Sequence, residues 1–248
     1  MTYAVGILDY GIGGMGLVKL IQDRHPKTSL IYFSDAGAVP YGKQSKVELR
    51  KRIVQVLDFL FRQECRHVVV ACHSASSVLI ESDLKVTSII PITIDTVLKS
   101  GHTNVGIVGG GRTIRSQKYK KALQSSGITV KQRIAQKLSI LIEKGIISGE
   151  EIESVVRKVV APFKEEQALL LACTHYPAIL NLFKKFLPES CQVIDPIEQV
   201  LTQIFPLLNA DLSTNHRFLT TGNPGLMKIT SEIAFDVSTD QIELVVLD

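Results

Sequence analysis

Two apolar runs that end in the same dipeptide constrain the fold of this chain more than any other feature. His67-Val68-Val69-Val70-Ala71-Cys72 and Ala168-Leu169-Leu170-Leu171-Ala172-Cys173 each lead into polar residues and then a helical pattern. A short unbroken aliphatic run reads as a strand covered on both faces, the habit of parallel sheets flanked by helices. The two cysteines lie 173 − 72 = 101 residues apart, the length of a small domain. The chain therefore reads as two similar α/β lobes with mainly parallel sheets and a cleft between them, not as a solenoid of short repeats.

The rest of the chain fits that plan. Further β-branched runs at 4–8, 30–33, 105–108, 193–194 and 218–219 alternate with helical patterns. Ser45-Lys46-Val47-Glu48 and Ser148-Gly149-Glu150-Glu151 have the S-x-x-E form of a capping box, so helices should start there and run to Arg62 and Val160. Pro91 and the region near Asn209 read as crossovers, giving a first lobe of 1–95 with 210–248 and a second of 96–209. The tail, with its Thr220-Thr221-Gly222-Asn223-Pro224 turn and final apolar strand, should return to the first lobe.

A length of 248 residues buries a sizeable core, and 45% hydrophobic with 21% charged residues is ordinary for a globular protein. The net charge of +4 and pI near 8.8 are mild. The densest basic stretch, Lys118, Lys120, Lys121, Lys131 and Arg133, reads as a solvated face, so no nucleic-acid partner is expected. The N-terminus lacks the basic region of a signal peptide, and no apolar run approaches the roughly 18 residues that span a bilayer. A cytoplasmic protein without a membrane partner is expected, with its four cysteines, 65, 72, 173 and 191, reduced.

In open α/β sheets, functional groups gather at the C-terminal ends of strands. Cys72 and Cys173 both fall there, before helix N-termini that can lower a thiol pKa, whereas Cys65 and Cys191 do not and read as structural. Asp9 also ends a strand, ahead of Gly11-Ile12-Gly13-Gly14-Met15-Gly16. That run has the G-x-G-x-x-G form, with Asp35 near the place of a ribose-binding acid, so a dinucleotide site is one reading. Asp9 opposes it, because an acid beside a pyrophosphate repels it and suits an ammonium better. Gly109-Gly110-Gly111 reads as a tight strand-to-helix turn. A zinc site from Cys72, His73, Cys173 and His175 is disfavoured by the adjacent Cys-His spacing and the lack of C-x₂-C. His175 reads instead as a proton partner of Cys173, as Asp9 does for Cys72.

Several segments, in order, resemble the glutamate racemase family within the aspartate/glutamate racemase superfamily, over nearly the whole chain. They are the Asp9 glycine turn, Tyr32-Phe33-Ser34-Asp35, Val39-Pro40-Tyr41-Gly42, Ala71-Cys72, Ala172-Cys173-Thr174-His175-Tyr176-Pro177, Ile194-Asp195-Pro196 and Thr220-Thr221-Gly222. The resemblance implies a cofactor-independent, metal-free isomerase that interconverts L- and D-glutamate and supplies the D-form for peptidoglycan. It implies that Cys72 deprotonates the D-form and Cys173 the L-form, with Asp9 and His175 assisting. It also implies that Pro40, Tyr41, Gly42, Thr113 and Thr174 hold the small acidic substrate. A homodimer is compatible with it.

The departures from the family fall in the shell around the thiols. Asp9-Tyr10-Gly11 stands where Asp-Ser-Gly is typical, Cys72-His73-Ser74 where Cys-Asn-Thr is typical, and Gly110 where threonine is common. Tyr10, His73 and Ser74 are thus substrate-binding candidates of altered chemistry. Two further readings follow from them: a racemase with another acidic amino acid as substrate, and a catalytically silent relative that binds a carboxylate.

Overall fold

The computed structural model describes residues 3–79, 85–208, 215–239 and 241–247. The strands among them are Val5–Asp9 (β1), Leu30–Ser34 (β2), Val68–Val70 (β3), Val86–Ser88 (β4), Asn104–Gly109 (β5), Thr129–Ile134 (β6), Ala168–Ala172 (β7), Gln192–Ile194 (β8), His216–Thr220 (β9) and Ile242–Leu244 (β10). They form two sheets, in which these strands pair in parallel. The larger has the order β10-β9-β2-β1-β3-β4 and the smaller β6-β5-β7-β8. The run β2-β1-β3-β4 in one matches β6-β5-β7-β8 in the other. The strands that precede Cys72 and Cys173, β3 and β7, hold equivalent places one in from an edge, so the internal likeness of the sequence is a likeness of topology.

Burial accounts for the aliphatic runs. β1, β2, β3 and β7 are buried along their whole length, as strands with helices on both faces must be. Ile7 and Val69 of the larger sheet share one continuous core with Ile107 and Leu170 of the smaller. The other face of the larger sheet packs Leu8, Phe33 and Val70 against Leu49, Ile53 and Val56 of the helix Lys46–Arg62.

Register levels the strand ends. Asp9 pairs with Ser34, Ser34 with Thr220, and Gly109 with Ala172. The segments that carry Asp9, Asp35, Cys72, Gly110 and Cys173 therefore leave their sheets at the C-terminal edge. β10 pairs with β9, so the tail rejoins the larger sheet as expected. A helix, Pro224–Phe235, intervenes that the turn signal alone did not suggest; Asn223 caps it by accepting a bond from Leu226 N. Residue 209, the expected second crossover, lies outside the described residues. No helix among the described residues is long and apolar enough to cross a membrane.

The two expected capping boxes differ. Ser45 Oγ accepts from Glu48 N at 3.2 Å, and Glu48 Oε2 accepts from Ser45 N at 2.9 Å. The second helix, Glu150–Val160, is capped instead by Gly149 at φ 94°, with no side-chain cap. Glycine reaches that left-handed turn without strain, and Glu150, Glu151 and Glu153 in the first turn complement the helix dipole in place of a hydroxyl. Ser45→Ala should therefore lower stability by about 0.5–2 kcal/mol, while Ser148→Ala should be nearly neutral. Urea unfolding of both variants, followed by circular dichroism, checks the contrast.

Candidate active site

Twelve residues nominated by the sequence line one small cavity: Asp9, Tyr10, Pro40, Tyr41, Gly42, Cys72, His73, Ser74, Thr113, Cys173, Thr174 and His175. Gly110, Gln136, Ser139 and Ala172 complete its walls. Its volume of about 40 Å³ holds a few waters and falls short of an amino acid. A larger groove of about 1100 Å³ runs between β4, β8 and the helix Ile89–Lys99. No cysteine or histidine stands among its described lining residues, so the chemistry singles out the smaller cavity.

Cys72 follows β3 and caps a single helical turn, His73–Ser76. A lowered thiol pKa is the sequence expectation; the structure gives the opposite. Burial pushes the Cys72 thiol well above its ordinary value, the Asp9 carboxylate adds to this, and the amides of Ala75 and Ser74 offset only part. One turn aligns too few peptide dipoles to outweigh desolvation. Cys72 rests as a thiol.

The opposite wall is built differently. Cys173 Sγ lies 3.8 Å from His175 Nδ1, and His175 Nε2 lies 2.6 Å from Glu143 Oε2. Burial works against charge on His175, but Cys173 and Glu143 outweigh it and raise the imidazole well above its ordinary value. Asp9 is fully buried, and burial raises its pKa against the opposing effects of His175, the Thr174 hydroxyl and the Tyr10 amide. Its Oδ1 accepts from Tyr10 N at 2.6 Å. Oδ2 has no partner at hydrogen-bond distance among the described residues, although the Thr174 hydroxyl is near enough to ease its charge. A buried carboxylate so lightly partnered suits a cationic ligand.

Contacts within the first lobe and across the cleft set the remaining walls. The Tyr10 ring lies 5.0 Å from that of Tyr41, and burial, aided by the Glu143 charge, pushes its hydroxyl up to about 12. Tyr41 donates to Asp35 Oδ2 at 2.7 Å, and Asp35 also takes a two-point bond from Arg52 at 2.9 and 2.6 Å. Asp35 thus anchors the Pro40–Gly42 loop and is not free to bind a ribose. Ser74 and Thr113 hydroxyls lie 3.1 Å apart, and Arg115 Nη2 donates to Gly42 O at 2.6 Å. His73, expected as a titratable replacement for an amide, is held neutral: burial lowers its pKa to about 3, and its Nδ1 meets the Tyr119 hydroxyl at 2.6 Å.

The two other sequence readings meet the same geometry. In the glycine run, Ile12 N donates to Glu143 Oε2 at 3.0 Å and Gly11 O accepts from Tyr32 at 2.6 Å. A side chain at Gly13 would run into the Thr174 hydroxyl and the His175 backbone. The turn therefore cradles the Cys173–His175 wall and leaves no opening for a pyrophosphate. Both nitrogens of His175 are engaged and His73 Nδ1 is taken by Tyr119, so these imidazoles do not converge as a Cys₂His₂ set.

Glu143, Gln136 and Ser139 escaped the sequence reading. They occupy one stripe, at i, i+3 and i+7, of the helix Gln136–Glu143, between the buried Leu138, Leu141 and Ile142. Polar residues on the stripe that faces inward, with Ile140 left exposed, are the signal that could have found them.

The chain matches the Asp/Glu/hydantoin racemase family from residue 15 to residue 204. It belongs to that family. The racemase is thus an isomerase. A glutamate racemase from Oceanobacillus iheyensis is 32% identical, over 94% of this chain and 91% of its own. One from Shouchella clausii is 31% identical over 100% and 96%. The crystal structure of the Francisella tularensis glutamate racemase in complex with D-glutamate aligns with a TM-score of 0.88 at 29% identity, over 98% of this racemase and 97% of that chain.

Cys173 and Glu143 together should keep His175 protonated. In Glu143→Gln the imidazole loses its carboxylate while keeping a hydrogen-bond acceptor, so its NMR titration midpoint should fall. A midpoint unchanged from the parent protein would show that Cys173 alone holds the proton.

Proposed function

We propose that this racemase interconverts L- and D-glutamate through Cys72 and Cys173, without a cofactor, and supplies D-glutamate for peptidoglycan in the cytoplasm. On this reading the first lobe is 1–95 with 210–248 and the second 96–209, one thiol from each. The observation that carries it is the unlike surroundings of two thiols on one cavity: Cys72 is buried beside an acid, and Cys173 touches a histidine that holds a proton. Two environments that separate acid from base on opposite walls are what a two-base proton transfer needs.

The substrate ammonium pairs with Asp9, which is buried and lightly partnered. Cys173, with a proton held on His175, takes the α-proton of the L-form, and the Cys72 thiol delivers its own from the other face. The product is the D-form, with the proton now on Cys173 and the negative charge on Cys72; the site returns to its starting state when Cys173 loses that proton and Cys72 gains one from solvent after the product leaves. Starting from the D-form, the same thiols exchange roles. The hydroxyls of Ser74, Thr113 and Thr174 are the donors available to the carbanion-like state. An amino acid enters only when the lobes part, since contacts across the cleft leave about 40 Å³.

Glutamate is supported by the relatives of about 30% identity over nearly full length. A shorter acidic amino acid is the second reading, favoured by the Tyr10 ring stacked beside Tyr41. The exposed apolar stripe of Leu226, Ile229 and Ile233 on the helix Pro224–Phe235 suits a homodimer.

Incubation with each enantiomer in deuterium oxide should exchange the α-proton of glutamate. Exchange with aspartate alone would transfer the activity to that substrate, and binding without any exchange would identify a silent relative. Cys72→Ser and Cys173→Ser should each abolish racemisation. Full turnover in either variant would sink the two-thiol mechanism.

A further inference from the structure

An acidic amino acid carries two carboxylates, yet none of the described residues that line the cavity is a lysine or an arginine. Arg115 stands at the mouth, but its guanidinium bonds Gly42 O. The cationic His175 is held between Cys173 and Glu143. The distal carboxylate must therefore meet neutral donors, and the unassigned amide in the wall is Gln136.

Its orientation is determined. Gln136 Oε1 accepts from Gly111 N at 3.0 Å, and Nε2 donates to Ser139 Oγ at 2.9 Å. Ser139 in turn donates its own proton to the Gln136 carbonyl at 2.9 Å. Turning the amide over would set Nε2 against the Gly111 N–H and Oε1 against a hydroxyl whose proton is already engaged. The amide has two N–H donors, and Ser139 occupies one. Its head also reaches the loop of the other lobe, where a Cβ at Gly42 would collide with Oε1; within its own lobe, a Cβ at Gly110 would stand 3.3 Å from the same atom.

We propose that Gln136 is the specificity-determining residue of this pocket: with Oε1 held by Gly111 N and one N–H given to Ser139, its second Nε2–H donates to the distal carboxylate of an acidic amino acid. The assignment rests on the racemase reading for the rest of the ligand. Ser139 is the positioning residue that aims the amide. A neutral donor fits this site because Asp9, which lines the same cavity, would bind a cation to itself, whereas an amide donates without drawing its charge.

The test uses glutarate and its monoamide, measured by calorimetry on the full chain. Gln136→Glu is nearly isosteric, can still accept from Gly111 N, and opposes a carboxylate with a carboxylate. It should weaken glutarate by about tenfold or more, equivalent to about 1.4 kcal/mol, and should leave the monoamide within about threefold, since an amide does not repel the new charge. Ser139→Ala should shift the preference in the same direction by less. Equal loss of both ligands would make Gln136 a structural residue and overturn the assignment; so would unchanged glutarate binding, or no glutarate binding by the parent protein. Failure of the racemase reading looks different: the parent would discriminate the two ligands at Gln136 and exchange no α-proton.

Discussion

One carboxylate oxygen holds the site together. Glu143 Oε2 accepts from His175 Nε2 and from Ile12 N, so it fixes the imidazole on the smaller sheet's loop and the glycine turn on the larger sheet's loop at once. Without it, the imidazolium would be a buried charge supported by a sulfur 3.8 Å away, and desolvation, the largest opposing effect, would favour loss of the proton. The glycine run is explained by the same oxygen. A side chain at Gly11 would strike the Glu143 carboxylate, and one at Gly13 would strike Thr174. A sequence pattern that suggests phosphate binding is, in this fold, close packing around the Cys173, His175 and Glu143 cluster.

The two walls of the cavity are unequal for a physical reason. On one side Asp9 and Cys72 are both buried, and the charge of the first makes ionisation of the second harder. On the other, Cys173 touches a cation. On the proposed two-thiol reading, identical surroundings would give the two sulfurs nothing to tell acid from base. Matched topology supplies two equivalent strand ends; unlike neighbours give them different electrostatic surroundings.

The fold was legible because its signals are local. The aliphatic runs of β3 and β7, their shared Ala-Cys endings and the Ser45 cap depend on residues close in sequence. Cys72 and Cys173 could be separated from Cys65 and Cys191 by place alone. What was hidden depends on which sheet faces which. Glu143 is 131 residues from Ile12 and 32 from His175, and no spacing rule links them. The pKa of Cys72 was misjudged because the sequence displays a helix start and conceals its burial. β4 was missed because Val86–Ser88 is half-buried and lacks the aliphatic density of the central strands.

The departures from the glutamate racemase pattern are better understood in pairs than singly. Tyr10 brings a ring where a small hydroxyl is typical, and it lies against Tyr41. His73 replaces an amide, and Tyr119 takes its Nδ1 while burial keeps it uncharged, so the wall stays neutral. Gly110 stands where a threonine is common. A side chain there would come within 3.3 Å of Gln136 Oε1, so glycine yields its space to Gln136, and the donor lost at 110 is replaced by an amide from the facing helix. Each change has a partner that restores packing or hydrogen bonding, as neighbouring sites that share contacts require. A pocket drifting without function would be expected to leave such changes uncompensated; here they leave a packed, hydrogen-bonded lining around an intact pair of thiols.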